Sequence, residues 1–273
     1  MTSMEVLIEG LYCAITQTKD FVYHKNLVIV GNNSTGKTSL VKALLGRAVI
    51  EESKLFYYID SQNRTIADNS ESTTSTIYCD YDVFDILQTR IRKDNIAQHD
   101  VFPNQAAGGF VTYSELLANT KIYSDLVEEL LGKTISIKPK NETTEKLSKL
   151  IESSRRSKLW INSSQDIESL SSSEMAKIRI IMEVQNAINN ECNVVIIDEF
   201  DIHFDSKEMV RFMAQLISKF SRIRFVFVIH NLEALVELQD MDGLVFIKDG
   251  NNEWIRKIDC NDISQIEEVH RLT

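Results

Sequence analysis

The chain has 273 residues, 43% hydrophobic and 26% charged, the balance of a folded globular protein with room for a sizeable core. Its formal net charge of −10 argues against a surface that coats nucleic acid, because phosphate binding rests on Lys and Arg; "SSRRSKLW" (153–160) is the clearest local basic stretch. No apolar run is long enough to span a bilayer, "MTSMEVLIEG" lacks a signal peptide's pattern, and four scattered cysteines (Cys13, Cys79, Cys192, Cys260) fit a reducing cytoplasm rather than a metal or redox motif.

Two prolines and nine glycines leave few breaks, so the elements are read from periodicity. "MEVLIEGLYCAI" and "KNLVIVG" read as strands, the second a short buried run of the kind found in parallel sheets. "GKTSLVKALLG" predicts a helix with Leu40, Val41, Leu44 and Leu45 on one face and Gly46 as its stop. Residues 50–85, with "KLFYYID" and "STIYCDYDVF", are polar and β-rich, which predicts a small antiparallel lobe. From about 110 to 160 the pattern turns helical and strongly polar ("YSELLANTKIYSDLVEELLGK", "ETTEKLSKLIESS"), predicting an inserted helical subdomain. A helix over 173–189, the strand "NVVIID", the helix "SKEMVRFMAQLISKF" and the strand "RFVFVIH" follow. A hairpin, "GLVFIKDGNNEWIRKI", then turns at Asp249-Gly250-Asn251-Asn252. Strands alternating with helices predict an α/β core with a mostly parallel sheet, and no internal repeat or coiled-coil heptad run is present.

"GNNSTGKTS" (Gly31–Ser39) fits the phosphate-binding loop G-x-x-x-x-G-K-[ST], and it lies after a strand and at the start of a helix. Gly31 and Gly36 let the loop amides across Asn32, Asn33, Ser34 and Thr35 fold around phosphate oxygens, with the helix's N-terminal potential behind them. Lys37 is placed to reach the β- and γ-phosphates, the Thr38 hydroxyl to ligate Mg²⁺, and Ser39 completes the motif. In "VVIIDEF" a buried strand ends in two carboxylates: Asp198 suits the Mg²⁺ shell and Glu199 the polarisation of an attacking water. His230 ends another buried strand, where a γ-phosphate would be met, and Asp205 lies seven residues beyond Asp198. In "SLSSSE", Ser171 and Glu174 have the S-x-x-E spacing of a capping box.

The order of these features resembles that of the ABC-type ATPases: phosphate loop, glutamine loop, signature, Walker B strand, D-loop and switch histidine, over nearly the entire chain. "GNNSTGKTSL", Glu174 in the signature and "VIHN" are closest to the SMC-, RecF- and OLD-like branch, without a coiled-coil arm or nuclease domain. The resemblance implies one phosphate-loop NTPase domain over 1–273. Residues 1–95 would form the nucleotide-binding core and β lobe, 96–168 the glutamine loop and helical subdomain, and 169–273 the signature helix, Walker B strand, histidine and hairpin. It implies ATP and Mg²⁺ as cofactors, Asp205 as a nucleotide-contacting D-loop residue, and a head-to-tail dimer, homodimeric or with a related head, in which Ser171 and Ser173 of the signature meet the partner's nucleotide. By the same resemblance Gln98, in "NIAQHDVFPNQ", contacts Mg²⁺ and the attacking water, with Gln88 and Gln105 as alternatives. Ser172 and Ser173 stand where the family has glycines, which implies slow or partner-dependent hydrolysis. The implied role is a cytoplasmic ATPase gating an effector such as a nuclease or toxin, in nucleic-acid maintenance or bacterial and phage-directed defence. The alternative is the nucleotide-binding subunit of a transporter with a separate membrane partner.

Overall fold

A computed structural model describes residues 8–12, 26–32, 35–50, 56–61, 113–139, 157–162, 165–166, 170–237, 241–249, 252–260 and 262–272. The chain divides into two compact units: Met1–Asn63 with Ile77–Gly109 and Ala187–Thr273, and Arg64–Thr76 with Phe110–Asn186.

The first unit is built on a six-stranded sheet in the order β2-β6-β7-β1-β8-β9. Its strands are β1 (Asn26–Gly31), β2 (Phe56–Asp60), β6 (Val194–Asp198), β7 (Arg224–Ile229), β8 (Met241–Asp249) and β9 (Asn252–Asp259). The first five run parallel, and β9 returns antiparallel to β8 with Asp249 opposite Asn252, as the hairpin reading expects. Runs such as "LVIVG", "VVIID" and "FVFVI" are buried at every position, because a parallel strand covered on both faces has no solvent side. Helix α1 (Lys37–Ile50) buries Leu40, Val41, Leu44, Leu45 and Ala48. Helix α4 (Ser206–Lys219) buries Met209, Phe212, Met213 and Leu216, a stripe at helical spacing. Helix α5 (Ile263–Leu272) buries Ile266 and Val269 and closes the chain, an element the sequence reading missed. Cys192 is buried with Sγ 3.7 Å from the Phe56 carbonyl, and burial pushes its thiol up to about 12, which makes it a core residue rather than a redox centre.

Three expectations are corrected here. Residues 8–12, read as strand, are helical; Ile8, Leu11 and Tyr12 recur at three and four, and Tyr12 stacks on Phe56 at 5.9 Å. Gly46 does not stop α1, which continues to Ile50, because buried Leu45 and Ala48 extend its apolar face past the glycine. "KLFYYID" is no part of an antiparallel lobe: β2 pairs parallel with β6, Phe56 opposite Val194 and Asp60 opposite Asp198, with Phe56, Tyr57, Tyr58 and Ile59 all buried. "STIYCDYDVF" lies outside the described residues.

The second unit carries helix α2 (Tyr113–Leu131), a three-stranded antiparallel sheet of β3 (Ile135–Pro139), β4 (Ser157–Ile161) and β5 (Gln165–Asp166), and all but the last turn of α3 (Ser172–Asn189). The antiparallel strands thus fall where only helix was expected, and "ETTEKLSKLIESS" lies outside the described residues. Gly132, at φ +67, ends α2 in the left-handed conformation, its N–H bonded to the Glu128 carbonyl. The chain then turns at once into β3, where the Ile135 amide donates to Ser124 Oγ of α2. Among the described residues no helix is long and apolar enough to cross a membrane.

Candidate functional site

Parallel pairing brings the carboxyl ends of β1, β2, β6 and β7 to one edge of the first unit's sheet, since Val30 lies opposite Ile229, Ile197 opposite Phe227 and Asp60 opposite Asp198. Ligands of open α/β sheets bind outside this edge. The loop after β1 starts at buried Gly31 and enters α1 through Gly36, whose φ of +104 is a backbone state that side-chain-bearing residues rarely adopt. Thr35 Oγ1 donates to the Asn32 carbonyl at 2.9 Å, and the Leu40 amide bonds to the Gly36 carbonyl at 2.9 Å to open the helix. Thr38 and Ser39 are exposed on the first helical turn. Asn33 and Ser34 lie outside the described residues.

Lys37 is only 5% exposed, and its Nζ donates to the carbonyls of Gly31 (2.5 Å) and Asn32 (2.9 Å). Burial lowers its pKa, while Asp201, Asp198 and Glu199, in that order, oppose the shift. The loop therefore holds a cation within electrostatic reach of three carboxylates, Asp198 at the end of β6 and Glu199 and Asp201 just after it.

Asp198 ends β6 and is 4% exposed. Its Oδ2 accepts from Tyr58 Oη of β2 at 3.1 Å, its Oδ1 from the Glu199 amide at 3.0 Å, and its carbonyl from the Ser61 amide at 3.1 Å. Glu199 follows in the left-handed region at φ 52, ψ 40, and is half-buried. Phe200, wholly buried, anchors the turn: its ring lies 4.9 Å from Phe227, 5.4 Å from Phe204 and 6.0 Å from Phe212. The short 3-10 turn Phe200–His203 follows, and His203 Nε2 sits 2.8 Å from the Ser61 carbonyl.

His230, just past β7, is about a third exposed; its Nδ1 lies 3.2 Å from Asp201 Oδ1. Asp201 Oδ2 also accepts from the amides of His230 (2.8 Å) and Asn231 (3.0 Å), while Asn231 Nδ2 donates to Ser206 Oγ at 2.6 Å. Asp201 and Tyr58 were not singled out by sequence. The third acid of "DEFDIHFD" was a signal for Asp201, but Tyr58 had none, because its partner is 140 residues away. Asp205 is the N-cap of α4, its carboxylate accepting from the Glu208 amide at 2.8 Å.

The first unit thus assembles Gly31, Asn32, Thr35, Gly36, Lys37, Thr38, Ser39, Asp198, Glu199 and His230 from three parallel strands. Gln98 and its alternatives Gln88 and Gln105 lie outside the described residues. Ser171 and Ser173 belong to the second unit, where the capping box is closed. Glu174 Oε2 accepts from the Ser171 amide (3.1 Å) and hydroxyl (2.9 Å), and the Glu174 amide donates to Ser171 Oγ at 3.3 Å. Lys133, just after Gly132, pairs with the other Glu174 oxygen. Lys133 and then Ser171 hold the Glu174 carboxyl down at about 2. The Ser173 hydroxyl lies 3.4 Å from that of Ser171.

A phosphate-loop sequence at the end of an inner parallel strand, with carboxylates at the end of a nearby one, defines the first unit as a phosphate-loop α/β fold. Compared by sequence, the chain matches no protein-family model and no curated protein. Compared by structure, it is similar to cbiO1 from Clostridium perfringens, part of the ABC transporter complex cbiONQ, at 12% identity and a TM-score of 0.47, over 90% of this chain and 82% of that one. It is similar to an SMC head bound to the C-winged helix domain of ScpA, at 12% identity and a TM-score of 0.47, over 88% of this chain and 92% of that one.

Proposed function

We propose that the chain binds and hydrolyses ATP as an ABC-type head. The observation that supports this best is buried Lys37, held by the loop carbonyls and facing Asp201, Asp198 and Glu199, with His230 on the adjoining strand end. A nucleotide's terminal phosphates would take the Lys37 ammonium from its loop carbonyls, replacing neutral acceptors by charged ones. Mg²⁺ suits the donors present, the exposed Thr38 hydroxyl and the Asp198 carboxylate, since it binds through few protein oxygens plus phosphates and waters. Among the described residues no cluster of three or more metal-binding side chains offers another kind of metal centre. Bound there, Mg²⁺ would neutralise charge on the β- and γ-phosphates. Glu199 would accept the proton of a water whose oxygen attacks the γ-phosphorus, while the bridging oxygen leaves with ADP.

The finer reading is a head-to-tail dimer around two ATP molecules, with Ser171 and Ser173 of one subunit meeting the nucleotide of the other. Its closed helix cap is compatible with this, since capping leaves other amides of the first turn to face an anion. The same reading covers a single domain over 1–273, a cytoplasmic location, and an effector partner such as a nuclease or toxin in nucleic-acid maintenance or defence. A glutamine at the metal remains part of it. Gln98 is the candidate from sequence, with Gln88 and Gln105 as its alternatives.

Size-exclusion chromatography with saturating Mg²⁺–ATP tests this reading. Glu199→Gln is expected to bind ATP, accumulate as a dimer and lose turnover, and Lys37→Ala to lose ATP affinity. A Glu199→Gln protein that stays monomeric would overturn the sandwich, and a Lys37→Ala protein that binds ATP normally would overturn the loop assignment.

A further inference from the structure

We infer that Asp201 is the positioning residue for His230, fixing which ring nitrogen is offered to the nucleotide. The inference rests on the proposed ATP site for its functional consequence, but its geometry stands apart from it. One Asp201 oxygen accepts from two consecutive amides, His230 at 2.8 Å and Asn231 at 3.0 Å, and so holds the turn at the end of β7. The other lies 3.2 Å from His230 Nδ1. An ionised carboxylate only accepts hydrogen bonds, so Nδ1 carries the proton in this pair and Nε2 is the nitrogen left for a ligand. In the neutral ring Nε2 then accepts, as from an attacking water; when the ring takes a second proton, Nε2 donates, as to a phosphate oxygen.

The anchor is itself held. Asp201 lies one residue past Phe200, whose ring is fixed among three others, and Asn231 is tied to Ser206 at the head of α4. Asp201 is also the foremost negative charge opposing the burial effect on Lys37. It therefore ties the turn that carries Glu199 to the histidine.

Two measurements test this. Two-bond ¹H–¹⁵N correlation spectra of the full chain at alkaline pH, with the His230 signals assigned by their loss in His230→Gln, report the tautomer directly. A neutral ring protonated at Nδ1 is expected, and a ring protonated at Nε2 overturns the inference, whether or not ATP is hydrolysed. Asp201→Asn keeps an oxygen for the two amides but turns the other position into a donor, so the neutral tautomer should reverse. Its kcat should fall about 10-fold or more, as loss of an orienting partner does, while KM for ATP stays level or drops because a negative charge beside Lys37 is gone. An unchanged kcat, or a loss confined to KM, overturns the positioning role. Failure of wild-type protein to bind ATP would instead remove the proposed function and with it the catalytic half of this inference, leaving the tautomer measurement to decide the geometric half.

Discussion

Glu199 occupies the left-handed region at φ 52, ψ 40, at the turn that begins where β6 ends. A side-chain-bearing residue there costs roughly 1–2 kcal/mol, whereas glycine has no Cβ to crowd the following carbonyl. Glu199→Gly and Glu199→Ala remove the same carboxylate, so the difference between them isolates the backbone. In a right-handed helical position Ala would be favoured by roughly 0.5–1 kcal/mol, because glycine loses more chain entropy on folding. At Glu199 the left-handed cost outweighs that entropy, and the Gly variant should exceed the Ala variant by about 0.5–1 kcal/mol. Urea unfolding in a Trp160→Phe background measures this, since Trp254 then remains as the one tryptophan and lies in the unit that holds Glu199. Both variants should lose ATP turnover. If Ala proves the more stable, Glu199 is not strained in solution. If Gly does, the strain is retained for the carboxylate it aims.

Phe200→Ala should destabilise the same unit by about 3–5 kcal/mol, because a wholly buried ring in contact with three others leaves a cavity; a loss under ~1 kcal/mol by urea unfolding would show that the turn is not anchored there. Glu174 supplies a pH-dependent test. Its folded value of about 2 lies below the ordinary 4.5, so its stabilisation is full above about 4.5 and is lost as pH falls toward about 2. Its side chain is 35% exposed, which screens the pair to about 1 kcal/mol. Wild type should therefore lose its advantage over Glu174→Gln on acidification; parallel losses in the two proteins would refute the contribution.

The sequence by itself determined where the candidate site residues lie wherever spacing along the chain and position on an element coincide. "GNNSTGKTS" had to follow a strand and open a helix, and Gly31, Lys37 and Thr38 do so; "VVIID" had to be buried and end in Asp198, and it is. The S-x-x-E box of Ser171 and Glu174 is likewise local, closing over three residues, so its spacing was enough to find it. Local signals failed where partners are distant. "KLFYYID" has the composition of any strand, and only its parallel pairing with β6 placed it in the core and set Tyr58 against Asp198. The antiparallel strands β3 and β4 flank residues 140–156 and pair across that gap, which no alternation within either strand could reveal. Gly46 looked like a stop because glycine ends helices when its neighbours can leave the core; here Leu45 and Ala48 are buried, and their burial carries α1 past it. Asp205 and Asp201 show the same division. Both are acids of one short motif, yet Asp205 caps its own helix through the Glu208 amide three residues on, whereas only the tertiary structure made Asp201 the clamp on His230, because Asp201 meets the end of β7.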